Sequence, residues 1–132
     1  MQVEQLKDTV VAALEEIKAR DIVVLDVRKL TSLFDYMIVA SADSVRQTKA
    51  LARNVHERVK AAGGKVIGIE GEQVGEWVLV DLADIVVHIM QPAVRDYYNL
   101  EQLWGSEAPR RIVPLRRPGD QRPSGSGAQA RP

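Results

Sequence analysis

Residues 22–27 read Ile-Val-Val-Leu-Asp-Val, a β-branched run that is apolar on both of its faces. A strand of that kind must lie inside a sheet covered from both sides, so this stretch demands an α/β arrangement with helices packed on the sheet. The flanking sequence supplies them. Val3, Leu6, Val10, Leu14 and Ile17 recur at spacings of three and four within residues 3–20, which places one apolar stripe on an amphipathic helix. A second strand is expected from Tyr36 to Ala40, after a turn through Thr31–Asp35. Ser44 followed by Gln47 has capping-box spacing, and the helix it opens should bury Thr48, Leu51, Ala52, Val55, Val59 and Ala62 before Gly63-Gly64 ends it. Val66 to Glu70 make a third strand. Trp77–Leu82 and Ile85–Met90, separated only by Ala83-Asp84, then read as an antiparallel hairpin. Pro92 fits the first turn of a last helix, with Ala93, Tyr97, Leu100 and Trp104 on one face and Gly105 just past its end. The expected architecture is a single α/β domain with a mixed, about five-stranded sheet. The helix between the second and third strands is the one crossover long enough for parallel pairing.

The domain should end near Gly105. Five of the six prolines lie beyond that point, with Gly119, Gly125 and Gly127, and such a segment buries too little apolar surface to offset its ordering entropy. Residues 1–105 are therefore expected to form the folded domain and residues 106–132 an Arg/Pro/Gly-rich disordered tail. Within it Ile112, Val113 and Leu115 could at most dock as an extended strand. The same cut explains the formal net charge of zero: the tail carries six Arg against Glu107 and Asp120, leaving an acidic body. An acidic body is poorly suited to phosphate contacts, which need clustered Lys and Arg, and suits a basic partner instead. With no Cys, disulfide scaffolds and cysteine-zinc sites are excluded. No apolar run approaches a membrane span, and the first residues, MQVEQLKDTV, lack the basic start and apolar stretch of a signal peptide, so a cytoplasmic location is expected.

Catalytic constellations are hard to assemble. Metal-assisted chemistry would need converging carboxylates, and the acidic pairs near strand ends are Asp81 with Asp84 and Asp26 with Asp35. Turn chemistry accounts for both pairs as well, since Asp is favoured where a hairpin reverses or a strand begins. The turn Ala40-Ser41-Ala42-Asp43-Ser44 has no glycine to admit a phosphate and carries an Asp that would repel one. His56 and His88 fall on different elements, His56 on the polar side of its helix and His88 alternating with Val86 and Met90. Ser41, Ser44 and Thr48 are explained by turn and cap chemistry. No metal or cofactor is expected.

A surface argument remains. In Glu70-Gly71-Glu72-Gln73-Val74-Gly75-Glu76-Trp77 three acids precede a Trp at the start of a strand, and Asp81 and Asp84 follow. This is either a solvated acidic loop with Trp77 in the core, or a binding patch in which Trp77 supplies apolar area and the carboxylates select a basic partner. Tyr97, Tyr98 and Trp104 cannot all share one narrow helix face, so at least one of these aromatics should sit at the rim.

Several segments together resemble the ribosomal silencing factor family, also called the iojap family. They are Asp21-Ile22 through Leu25-Asp26-Val27, Asp35-Tyr36-Met37-Ile38-Val39, Ser44-Val45-Arg46-Gln47, Glu70-Gly71, Trp77 through Asp81, Asp84 through His88, and Arg95 through Tyr98-Asn99-Leu100-Glu101-Gln102-Leu103-Trp104. The matches run in order across residues 1–105. The sequence departs from the family pattern at Ser41-Ala42, where Thr-Gly is common, at Gln47, where His is common, and at Ala83, where Gly is common. The resemblance implies a nucleotidyltransferase-like topology without enzymatic activity. It also implies a factor, often dimeric when free, that binds the large ribosomal subunit through ribosomal protein L-fourteen, sterically blocks joining of the small subunit, and lowers translation in starvation. On that basis the docking edge is expected around Glu70, Trp77, Asp81, Leu82 and Tyr98, with the tail arginines adding a weak contact to ribosomal RNA. The competing expectations are a Mg-dependent nucleotidyltransferase-like enzyme using Asp81 and Asp84, and a structural homodimer whose aromatic patch is its own interface.

Overall fold

A computed structural model describes residues 1–104 together with the backbone of Arg110 and Arg111. Helix α1, Val3–Glu16, leads into strand β1, Arg20–Asp26, and β2, Tyr36–Ser41. Helix α2, Val45–Ala61, then crosses to β3, Gly68–Glu70, β4, Trp77–Asp81, and β5, Ile85–Met90. Two short helices follow, α3, Pro92–Tyr98, and α4, Leu100–Trp104, and Arg110–Arg111 form β6. The sheet order is β3-β4-β5-β2-β1-β6. All neighbours are antiparallel except β2 with β5, so the parallel partner across α2 is not β3: the chain first lays down β3 and β4, then returns beside β2.

Ile22, Val23, Val24, Leu25 and Val27 are buried, on both faces of the sheet, as their composition requires, while Asp26 at the end of the strand is exposed. Ile22 and Val24 join a core with Leu6, Val10 and Leu14 of α1, Leu51, Val55 and Val59 of α2, and Val78, Val80, Val87 and Ile89 of the hairpin. Val23, Leu25 and Val27 face the other way, onto Met37, Val39 and Met90, with Phe34, Trp77, Val94, Leu100 and Trp104 packed against them. The helices α1 and α2 thus cover one face of the sheet, while α3 and α4 cover only part of the other.

Several features differ from expectation. Helix α1 stops at Glu16 rather than near Arg20, because Lys18 takes a left-handed φ of 65° and the Ala19 N–H closes on the Leu14 carbonyl at 3.0 Å. This is a glycine-type helix stop made without glycine, so composition does not announce it. The single last helix is broken at Asn99, whose φ of 49° and ψ of 55° separate α3 from α4. That kink turns Val94, Leu100 and Trp104 to the sheet and leaves Ala93 and Tyr97 exposed, a different face from the one the spacing suggested. Ala62, expected in the core, is exposed at the end of α2. The sheet also has one strand more than expected, since the Arg110–Arg111 backbone pairs antiparallel with Val23 and Val24 and covers the edge of β1. The remainder of the expected tail, including Ile112, Val113 and Leu115, lies outside the described residues.

Other local signals read from sequence are present. Ser44 caps α2, its Oγ accepting from the Gln47 N–H at 3.0 Å, and the Gln47 side chain accepts from the Asp43 N–H at 2.6 Å. Gln47 also donates to the carbonyls of Ile17 and Lys18, tying the end of α1 to the start of α2. The β4–β5 hairpin turns through Ala83 and Asp84, where the Asp84 N–H bonds the Leu82 carbonyl at 2.9 Å and Ala83 is held at a φ of 73°. A Cβ is disfavoured there by about 1–2 kcal/mol, so Ala83→Gly is expected to stabilise the fold by about 1 kcal/mol in urea unfolding. A variant no more stable than wild type would show that the turn carries no such strain.

Candidate functional site: an open aromatic face with an acidic rim

On strands β4 and β5 side chains alternate between the faces. Val78, Val80, Ile85, Val87 and Ile89 enter the core beneath α1 and α2, so Trp77, Leu79, Asp81, Val86 and His88 point to the opposite side. There α3 and α4 lie over β1 and β2, and these hairpin residues remain only half-buried. Strand pairing puts Glu70, Leu79 and His88 in one row and Asp81 beside Val86 in the next. The result is a shallow sheet surface bordered by carboxylates.

Aromatic rings line its α3 side. Trp77 lies 4.8 Å from Tyr98 between ring centroids, and Tyr98 lies 4.9 Å from Tyr97 in an edge-to-face contact. Both tyrosines are exposed, Tyr97 at 60% and Tyr98 at 51%, as the spacing argument for a rim aromatic anticipated. The Trp77 indole also donates from Nε1 to Nδ1 of His88 at 2.9 Å. Trp77 is thus half-buried, neither fully in the core nor free. It rises at the edge of the second core cluster with one side against His88 and Tyr98.

The residues expected on a docking edge are distributed as follows. Glu70, Trp77, Asp81 and Tyr98 share this side of the sheet. Leu82 does not. It is 3% exposed and belongs to the core under α1 and α2, because it continues the inward alternation of Val78 and Val80, and its N–H pairs back to the Ile85 carbonyl at 2.9 Å. Its assignment to an exposed edge is corrected accordingly. His88 and Leu79 take its place in the patch; the alternation along β4 and β5 was the signal that could have found them.

The carboxylates behave as turn and rim groups. Asp81 Oδ1 accepts from the Ala83 N–H at 2.9 Å, and the Asp84 carbonyl receives the N–H groups of Asp35 and Tyr36. Asp26 is chelated by Arg28, whose guanidinium lies 2.6 Å away and holds the carboxyl down at about 2. Among the described residues no three His, Asp or Glu side chains converge as a metal site would require. His56 lies on α2, which covers one face of the sheet, while the His88 side chain on β5 points to the other, so the two do not meet. Ser41 is buried and its Oγ accepts from Arg95 Nη1 at 2.8 Å, while Asp43 pairs with Arg20 at 2.9 Å. The strand-to-helix turn is thereby occupied by its own interactions.

Arg95 was not singled out by sequence beyond the stretch in which it lies, yet it holds the site in place. Buried on α3, it grips Glu101 of α4 with two parallel hydrogen bonds of 3.0 and 2.8 Å and reaches Ser41 at the end of β2. This three-way tie sets the position of α3, and with it that of Tyr98 against Trp77.

Burial pushes His88 down to about 4, against about 6.5 for a free histidine. The unfolded chain therefore takes up the proton first, and stability should fall as pH drops from about 6.5 to about 4, with no further His88 contribution below that. Urea midpoints of wild type minus those of His88→Asn, measured across this window, should decline toward low pH. A flat difference would contradict a buried neutral imidazole.

The described residues form a small α/β module whose open sheet surface carries aromatic rings bordered by carboxylates. Comparison with known proteins places it: the model of "Ribosomal silencing factor during starvation" matches residues 1–131, and the chain belongs to the ribosomal silencing factor family. The match extends well past Gly105, where the resemblance read from sequence had stopped. The ribosomal silencing factor RsfS of Chromobacterium violaceum is 52% identical over 118 residues, covering 89% of this chain and 97% of that one. A crystal structure of a protein from the same organism superposes with a TM-score of 0.79 at 51% identity, covering 91% of this chain and 100% of the other. A more distant relative is the mouse protein named mitochondrial assembly of ribosomal large subunit protein 1, 32% identical over 74% of this chain and 44% of its own. No described helix is long and apolar enough to cross a membrane.

Proposed function

We propose that this chain is a translational repressor that binds the large ribosomal subunit through ribosomal protein L-fourteen and, by occupying that position, keeps the small subunit from joining when nutrients are scarce. The observation that carries this reading is the half of the sheet that the described residues leave uncovered, where Trp77 and Tyr98 stand among Glu70 and Asp81. Aromatic anchors bordered by charge are a common composition for the energetic centre of an interface, and a carboxylate rim favours a basic protein and speeds its capture. No chemical step is needed, since steric exclusion suffices. The family membership and the name of the mouse relative support a large-subunit partner.

Sedimentation with purified large subunits, followed by a subunit-joining assay, tests the proposal. The protein should co-sediment with large subunits and reduce joining in proportion to its occupancy. Absence of both would refute it, and self-association without subunit binding would identify the patch as a homodimer interface. Residues 106–132 are proposed to add a salt-dependent contact to ribosomal RNA through their arginines. Truncation after Leu115, which keeps β6, should then weaken binding and flatten its salt dependence.

A further inference from the structure

We propose that His88 is the specificity-determining residue of the open face, presenting a fixed Nε2–H donor that requires an uncharged oxygen acceptor, a backbone carbonyl or a hydroxyl, on the partner. The inference deepens the proposed function and rests on the open face being the surface that meets the large subunit.

The Trp77 indole sets the state of the His88 ring. An indole Nε1–H can only donate, and it points at His88 Nδ1 from 2.9 Å. Nδ1 must therefore be an unprotonated acceptor, and a neutral imidazole then carries its proton on Nε2. Trp77 thus selects the tautomer as well as the ring orientation. Burial, which disfavours the imidazolium, acts in the same direction.

Nε2 has no hydrogen-bond partner among the described residues, and it is not among the side-chain atoms sealed from solvent without one. Among the described residues nothing seals it from water. Its surroundings are mostly apolar: Leu79 pairs with His88 across β4, Val39 across β2, and Val86 and Met90 flank it along β5. A partner that covers this floor removes the water from Nε2. If it brings no acceptor, a donor is left unpaired at a cost on the order of tenfold in affinity or more. If it brings an ammonium or guanidinium to that point, two donors face each other. The site therefore divides its recognition: cations on the partner belong at the rim, opposite Glu70 and Asp81, and a neutral oxygen belongs at the centre.

Two substitutions separate the two ring nitrogens. Asn places its amide where Nδ1 stands, so His88→Asn retains an acceptor for Trp77 and loses the outward donor. Gln extends to the position of Nε2, so His88→Gln retains a donor there. In sedimentation titrations with purified large subunits, His88→Asn should weaken binding about tenfold, about 1.4 kcal/mol, and His88→Gln should recover most of that loss. Long-range nitrogen–proton correlation spectra of the free wild-type protein should show the Nε2–H tautomer, and Trp77→Phe should release the ring to a mixture of both. The Nδ1–H tautomer in wild type, or Asn binding as tightly as wild type, would overturn the proposal. Equal losses in Asn and Gln would also overturn it, since they would assign the effect to ring packing. Wild-type protein that fails to bind large subunits would remove the functional reading itself, an outcome distinct from normal wild-type binding with an undiminished Asn variant.

Discussion

Arg95→Met is expected to destabilise the protein by about 3–5 kcal/mol, the range observed when one partner of a buried ion pair is removed. Arg95 and Glu101 are each nearly buried, with side chains 8% and 13% exposed. Removing the guanidinium leaves the Glu101 carboxylate without its two-pronged partner and deprives Ser41 Oγ of its donor. The cost arises from breaking a buried pair whose carboxylate loses both guanidinium hydrogen bonds, so Arg95→Met combined with Glu101→Leu should recover part of the loss. A domain of this size has about 5–15 kcal/mol of total stability, which makes the single substitution close to disabling. Urea unfolding of both variants and of Glu101→Leu completes the cycle. A single-variant loss below about 1 kcal/mol would show that the tie between α3, α4 and β2 is not what holds the last helices down. Partial melting of that region is the further expectation, because α3 and α4 are short and their packing depends on Val94, Leu100 and Trp104 as well as on this tie.

Trp77→Ala is expected to reduce affinity for large subunits by at least thirtyfold, about 2 kcal/mol, the level at which an interface residue counts as an anchor. Three effects add in the same direction. The indole area is lost, the Tyr98 ring loses its neighbour at 4.8 Å, and His88 Nδ1 loses its donor. Trp77 also packs on the second core cluster, so the variant must first be shown to fold. Trp77→Phe is the useful companion, since it keeps an aromatic ring but cannot donate to His88, and its affinity should fall between the two. A folded Trp77→Ala protein that co-sediments like wild type would place the interface elsewhere on the molecule.

Much of the architecture was legible because the responsible signals are local. The double-sided apolar run at 22–27 required a covered strand, and Val23 and Val24 are indeed buried from opposite sides. Ser44 capped its helix as expected, and the β4–β5 hairpin formed across Ala83-Asp84. The two misplaced helix ends share a different cause. Lys18 and Asn99 each adopt a positive φ that glycine would have advertised, and hydrogen bonds and packing elsewhere in the fold hold them there. Leu82 follows the inward alternation of Val78 and Val80, so the strand period itself places it in the core rather than on the docking edge.

The sequence by itself determined that this protein is an α/β domain with an acidic body, no cysteine chemistry and an aromatic-acidic segment starting at Glu70, because composition and periodicity act through neighbouring residues. Only the tertiary structure decided which half of the sheet stays uncovered. That depends on where the break at Asn99 and the buried grip of Arg95 on Glu101 and Ser41 set the last two helices. The grip on Ser41 joins residues 54 apart in the chain, and the partnership of Trp77 with His88 and Tyr98 becomes visible only when β4, β5 and α3 are assembled.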